Sequence, residues 1–249
     1  MRLTVLGGCG AWPAAGQACS GYLLERDGFR LLIDPGYAVL PRLLATVDAA
    51  AVDAVVVSHG HPDHCADLSP LLRARALSAE PPPPLPVYAP AGAVDAVLAL
   101  DSIRSVAGAA ETIVLTDGDG VRVGPFDVLP ALLPHFVPNL GVRISDATST
   151  LAYSGDAGPD PALVELARDA DLLLIEATYP DAVPDGNAGQ LCSAVEAAEQ
   201  GLAAGAGRTM LTHLWPGIDP ARYLAAAATV TGAGGAELAT PGPAQPIGV

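Results

Sequence analysis

The chain has 249 residues, just over half of them apolar, which is enough for one large domain with a sizeable core. Its formal charge of −15, with only 12 basic residues, disfavours both extended nucleic acid and an anionic membrane surface as partners. No apolar run approaches the ~20 residues of a membrane-spanning helix, and the start MRLTVLGG reads as a strand entering a turn rather than an export leader.

Four scattered cysteines, Cys9, Cys19, Cys65 and Cys192, show no CxxC spacing in a chain far larger than a disulfide-stapled minidomain. Reduced thiols and a cytoplasmic location are the expectation. In chain order, LTVLG, GYLLER and FRLLID read as three strands, the last two joined by an Asp27-Gly28 hairpin turn. A helix is expected around Tyr37–Ala45, then VDAVVVSH as a strand buried on both faces, then a helix over Leu68–Ser78. The run Pro81–Pro84 is a stiff spacer. Beyond it come the strand PVYAP, a helix over Val94–Asp101, and two or three strands around the Asp117–Gly120 turn. VRISD, STLAYSGD, LLLIEA and TMLTH are further strands, with helices over Pro161–Asp169, Ser193–Ala204 and from Pro220. The Pro- and Gly-rich tail is expected to hold one strand and a loose end. No composition break divides the chain, so residues 1–249 are taken as one α/β domain with helices covering a layered sheet core.

SHGHPDH, residues 58–64, carries the strongest chemical signal. His59 and His61 are two apart and point the same way on extended chain, while Pro62 turns the chain so that Asp63 and His64 face another point. That arrangement suits two metal ions a few ångströms apart better than one. Only five histidines exist, and the two outside this segment, His135 and His213, end apolar strands, as Asp156 does. Groups at neighbouring strand ends converge on one rim. Imidazole and carboxylate donors without clustered thiolate form the ligand set of a catalytic zinc-class centre. Cys65 adjoins His64 but is expected to face elsewhere.

HGHPDH, with His135, Asp156, His213 and the phrases LLIDPG, LGVRI, YSGD, IEAT and LTHLWP, resembles the metallo-β-lactamase superfamily across almost the whole chain. The resemblance implies an αββα sandwich, two mixed β-sheets flanked by helices, with the site at the rim between the sheets. It implies one metal on His59, His61 and His135, another on Asp63, His64 and His213, Asp156 bridging them, and a hydroxide completing the pair. Zinc is the usual metal; manganese and iron occur in relatives. Asp63 and Asp156 are the expected catalytic carboxylates.

Within the superfamily, LGVRI, YSGD and IEAT resemble the phosphodiesterase branch, which holds the RNase Z-like transfer-RNA 3′-processing endonucleases and shorter enzymes that open cyclic nucleotides. Two departures stand out. There is no insertion large enough for the endonuclease's RNA-binding arm, and Gln190 stands where its leaving-group histidine belongs. Gln can hydrogen-bond but cannot act as a general acid. The expectation is a phosphodiesterase acting on a small nucleotide or cyclic nucleotide. A lactonase or thioesterase of the same fold, and a metal-binding protein without turnover, are the alternatives. Asp34, Glu176 and Thr212 are candidates to orient the ligands, with Asp34 first, and Trp215 to wall the pocket or stack on a base. Relatives often dimerise, so a homodimer is allowed.

Overall fold

The computed structural model describes residues 1–103, 106 and 108–248. Two seven-stranded sheets lie face to face. The first has the order β14-β1-β2-β3-β4-β5-β6, from Arg2–Gly7 (β1), Gly21–Arg26 (β2), Phe29–Ile33 (β3), Ala54–Val56 (β4), Leu85–Ala89 (β5), Ala110–Val114 (β6) and Gln245–Pro246 (β14). The second has the order β13-β12-β11-β10-β9-β8-β7, from Val121–Val123 (β7), Phe126–Leu133 (β8), Asn139–Ser145 (β9), Thr150–Tyr153 (β10), Leu172–Glu176 (β11), Thr209–Thr212 (β12) and Glu237–Leu238 (β13). Each sheet is antiparallel along one half and parallel along the other. β3 pairs in parallel with β4, and β10 with β11 and β11 with β12.

Period-two alternation explains the layering. Tyr22, Leu24, Leu31 and Ile33 join Leu172 and Leu174 between the sheets, while Leu23, Leu32 and Val55 point outward to a helical layer. That layer is formed by Val39–Leu44 (α1), Pro62–Cys65 (α2), Leu68–Ala76 (α3) and Asp95–Leu98 (α4). The second sheet turns Leu173, Ile175 and Leu211 toward Pro161–Leu166 (α5), Ala194–Ala204 (α6) and Pro220–Thr231 (α7). Small residues let α6 sit close: a Cβ on Gly201 would meet Thr209 Oγ1 at 2.3 Å. Its start is fixed by a reciprocal Ser193–Glu196 capping box. The result is the αββα sandwich, a single domain.

The Asp27-Gly28 turn has φ of 49° and 86°, the paired positive angles that a two-residue hairpin needs. Three expectations change. The first helix starts at Val39, because Ala38 is left-handed with φ 63°. Pro62 is the first residue of a short helix rather than a simple turn, a position where its missing N–H costs nothing. The tail is not a loose end: β13 extends the second sheet, and β14 then pairs with β1 through Arg2 and Leu3, so the tail links both sheets.

Candidate metal centre

The seven donors named from the sequence meet at one rim. His59, His61, His135 and Asp156 form one cluster, and Asp63, His64, Asp156 and His213 a second, with donor atoms within 4.8 Å of one another in each. Asp156 belongs to both. The first sheet supplies four donors from the β4–α2 loop and α2 itself. The second supplies His135 after β8, Asp156 after β10 and His213 after β12.

Hydrogen bonding fixes which nitrogen each ring presents. Asp34 Oδ2 accepts from His64 Nδ1 at 2.8 Å, so His64 Nε2 carries a bare lone pair. Ser58 Oγ donates to Asp34 Oδ2 at 2.6 Å and therefore accepts from His59 Nδ1 at 3.0 Å, leaving His59 Nε2 bare. The Gln190 backbone carbonyl accepts from His135 Nδ1 at 3.0 Å. Thr178 Oγ1 donates to Glu176 Oε2 at 2.7 Å and accepts from His213 Nδ1 at 2.9 Å. Every one of these rings turns Nε2 into the cluster.

The residues fit cations. His59 Nε2 and His135 Nε2 approach His61 Nδ1 to 3.0 and 3.1 Å. These separations are close to the edge of about 3.3 Å expected for a tetrahedron of nitrogens around zinc. Asp63 Oδ2 and Asp156 Oδ2 stand 3.1 and 3.2 Å from His213 Nε2, and Asp156 Oδ1 stands 3.2 Å from His64 Nε2. His64 Nε2 and Asp156 Oδ1 are fully buried yet have no hydrogen-bond partner. Buried polar atoms are rarely left so, and a shared cation satisfies both.

The charge balance agrees. Burial and neighbouring histidines hold His59 well below the usual imidazole range, and burial lowers His61 and His135, so these rings are neutral ligands. At His64 and His213 burial works in the same direction but loses to Asp156's negative charge, and both are raised. The carboxylate charge that favours a proton on these rings would equally favour a cation beside Nε2. Burial opposes ionisation of Asp63 and Asp156 too, yet the surrounding imidazoles hold both carboxyls below the usual range.

Other expected residues fall into different places. Asp34, wholly buried with φ 48°, is a hub that also accepts from Ser58 N at 2.7 Å and Tyr153 Oη at 2.7 Å. Glu176 acts at one remove, through Thr178 and by accepting from Ala157 N beside Asp156. Burial, helped by the charge of Asp156, pushes its carboxyl up to about 8. Gln190 contributes its backbone carbonyl, not a side chain, to His135. Thr212 points away from the ligands and bonds Tyr22 Oη at 2.6 Å. Trp215 is half-buried, stacked on Tyr179 and nearly perpendicular to Trp12, and it lines a surface cavity with Cys9, Arg42 and Ile218.

The Cys65 thiol donates to the His61 carbonyl and takes no part in the cluster. Gly155, at φ 58°, is required by packing: a Cβ would sit 2.2 Å from Asn139 Oδ1. Sequence reasoning gave no role to Ser58, Tyr153, Thr178 or the Ala11 N–H, which donates to Asp63 Oδ2 at 2.8 Å. Thr178 and Tyr153 lie inside quoted phrases, and their positions at or beyond strand ends were the available signal.

Comparison with known proteins places this geometry. A family model described as a beta-lactamase superfamily domain matches residues 29–214. A probable metallo-hydrolase, YhfI of Bacillus subtilis, is 34% identical over 217 residues, 86% of this chain and 87% of that protein. The crystal structure of YhfI superimposes with a TM-score of 0.86 at 31% identity, covering 98% of each chain. A ribonuclease Z from Mycolicibacterium gilvum is 30% identical, covering 88% of this chain and 86% of that one.

Proposed function

This chain belongs to the beta-lactamase superfamily as a metallo-hydrolase, and on that premise we propose that it is a dinuclear phosphodiesterase acting on a small nucleotide or cyclic nucleotide. The observation that carries the reading is the pair of donor clusters sharing Asp156. His59, His61, His135 and Asp156 would hold one divalent ion and Asp63, His64, Asp156 and His213 a second, and the pair would supply an activated water and positive charge toward a phosphodiester. The nitrogen and oxygen donor set supports zinc, with manganese or iron as alternatives.

The chain's own residues hold the geometry. Asp63 is fixed by the Ala11 N–H, and Asp156 by the Gly155 turn packed on Asn139 and by the Glu176 bond to the next backbone N–H. Only two of the seven donors are carboxylates, so a centre loaded with two divalent ions keeps net positive charge for an anionic substrate. The relation to ribonuclease Z supports phosphodiester chemistry. The overall charge of −15 supports a small substrate over a long RNA. Four free, buried cysteines support a reducing, cytoplasmic setting, and among the described residues no helix is long and apolar enough to cross a membrane.

A second reading, a lactonase or thioesterase, draws on Gln190: its side chain cannot act as a general acid, which favours good leaving groups. One assay separates them. Protein loaded with zinc or manganese is incubated with an aryl phosphodiester and with 3′,5′-cyclic AMP, with Asp63→Ala as the control. Turnover is expected in the parent, and the control is expected to lose most of it together with one metal equivalent. Two bound metals without phosphodiester turnover would overturn the reading in favour of lactones and thioesters.

A further inference from the structure

Both tryptophans of the chain stand beside the second donor cluster, in one stack. Trp12 follows Ala11, whose N–H holds Asp63. Trp215 comes two residues after His213, and Tyr179 follows Thr178, which orients His213. Three separate segments thus bring an aromatic ring to the same side of the centre, in a chain with only 4% aromatic residues.

The stack has an order. Tyr179 and Trp215 lie with centroids 5.9 Å apart and planes 18° from parallel, and Trp12 meets Trp215 edge-on at 4.9 Å and 83°. Tyr179 Oη is held by Asn187 at 2.7 Å, and the backbone N–H of Trp215 by Tyr223 Oη at 3.0 Å. The Tyr179 ring is therefore fixed at its hydroxyl, and Trp215 at its backbone. The outer ring, Trp12, is 45% exposed and its backbone is tied by Trp12 N to Gly10 O at 2.7 Å. A large aromatic ring held rigid from behind and open in front is a stacking platform whose ordering cost is already met. Phe136, exposed beside His135, has that histidine as its ring neighbour and no such backing.

Arg42 lines the same cavity as Trp215, with its guanidinium turned to the Gly16 carbonyl. All 12 basic residues are arginine. Each described arginine donates to a carboxylate or a backbone carbonyl, and none bonds a donor of either cluster or a ring of the stack. A loaded metal centre would meet the phosphate, and the aromatic stack would discriminate by shape and stacking.

We propose that Trp12 is the specificity-determining surface for a planar ring, such as a nucleobase, carried on one ester arm of the substrate, with Trp215 and Tyr179 as its support. This deepens the phosphodiesterase reading and rests on it. Trp215, half-buried, lines the neighbouring cavity, as the sequence suggested for it, and Trp12 is the more exposed ring of the pair.

Calorimetric titration of the metal-loaded protein with AMP and with ribose 5-phosphate isolates the ring, since both ligands offer the same phosphate to the metals. AMP is expected to bind about ten-fold more tightly, and to change tryptophan fluorescence, because both fluorophores are in the stack. Trp12→Leu keeps apolar bulk without a ring and should remove the preference, while Trp12→Tyr should retain most of it; bound metal should be the same in both. Equal affinity for the two ligands, or an undiminished preference in Trp12→Leu, would overturn the proposal. Aryl phosphodiester turnover is measured alongside. Turnover without base preference defeats only the role of Trp12, and base preference without turnover defeats only the phosphodiesterase reading.

Discussion

Asp34, just after β3, and Glu176, at the end of β11, are buried carboxylates at strand ends in the two sheets, but they reach the metal cluster differently. Asp34 touches His64 itself and, through Ser58, His59. Glu176 reaches His213 only through the hydroxyl of Thr178. The first half concentrates four donors on one short segment and anchors it with a single carboxylate. The second distributes three donors over three strand ends, so their placement depends on the register of β8 through β12. One half is held locally, the other by the sheet.

Asp156 is where the two arrangements meet, and its loss should have the largest effect. Asp156→Ala removes the donor common to both clusters. Turnover is expected to fall at least about a thousand-fold, with both metal equivalents weakened together rather than one. Metal stoichiometry by atomic emission after dialysis checks this. A variant that keeps one tight equivalent would show that the halves bind independently.

The direct and relayed hubs give the next test. Asp34→Asn replaces an oxygen with an amide NH2 among four donors from Ser58, Tyr153 and His64. Buried donors lose their acceptor, which costs about 1–3 kcal/mol each, and metal affinity should drop about 10- to 100-fold. Thr178→Val keeps shape but removes the relay to Glu176, and an effect near ten-fold is expected, confined to one metal. Competition with a chromogenic chelator measures both. If Thr178→Val matches or exceeds Asp34→Asn, directness of contact is not what distinguishes the two sheets.

The same contrast explains what could be read from the sequence. His59, His61, Asp63 and His64 announce themselves because their spacing is local, and Asp34 because it closes the apolar strand LLID. His135, Asp156 and His213 were legible only as polar ends of apolar strands, since nothing local says that β8, β10 and β12 finish at one rim. Thr178 and Tyr153 escaped because a hydroxyl gains its role from a partner far away in sequence; Tyr153 and Asp34 are 119 residues apart. The contributions of Ala11 N and the Gln190 carbonyl come from backbone atoms, which no side-chain pattern encodes. One strand was expected in the tail and the second was hidden for a related reason: two-residue pairings carry too little hydrophobic period to register.

The smallest effect is expected at the other end of β9, about 20 Å from the centre at the rise of an extended strand. Asp146 Oδ1 accepts from Thr148 N and Oγ1 at 2.7 and 2.9 Å and from Ser149 N at 2.9 Å, and Oδ2 stands 3.3 Å from Arg26 Nη1. Burial opposes its ionisation, but these donors outweigh that and hold its carboxyl below the usual range. A carboxyl whose folded pKa lies below the unfolded value of about 3.9 stabilises the fold above that value and ceases to do so as pH falls toward the folded pKa. Asp146→Asn should therefore cost about 1–2 kcal/mol at pH 7, and the gap to the parent, both metal-free, should shrink as the pH falls from about 5 toward 2. Metal affinity at pH 7 should be the same in both proteins, because β9 is held by hydrogen bonds to β8 and β10 along its length. Denaturant melts across pH read the first expectation and the chelator assay the second. A gap that widens on acidification would mean that the carboxylate's charge is not what stabilises this turn, and weakened metal binding would mean that the second sheet transmits disturbance from one rim to the other.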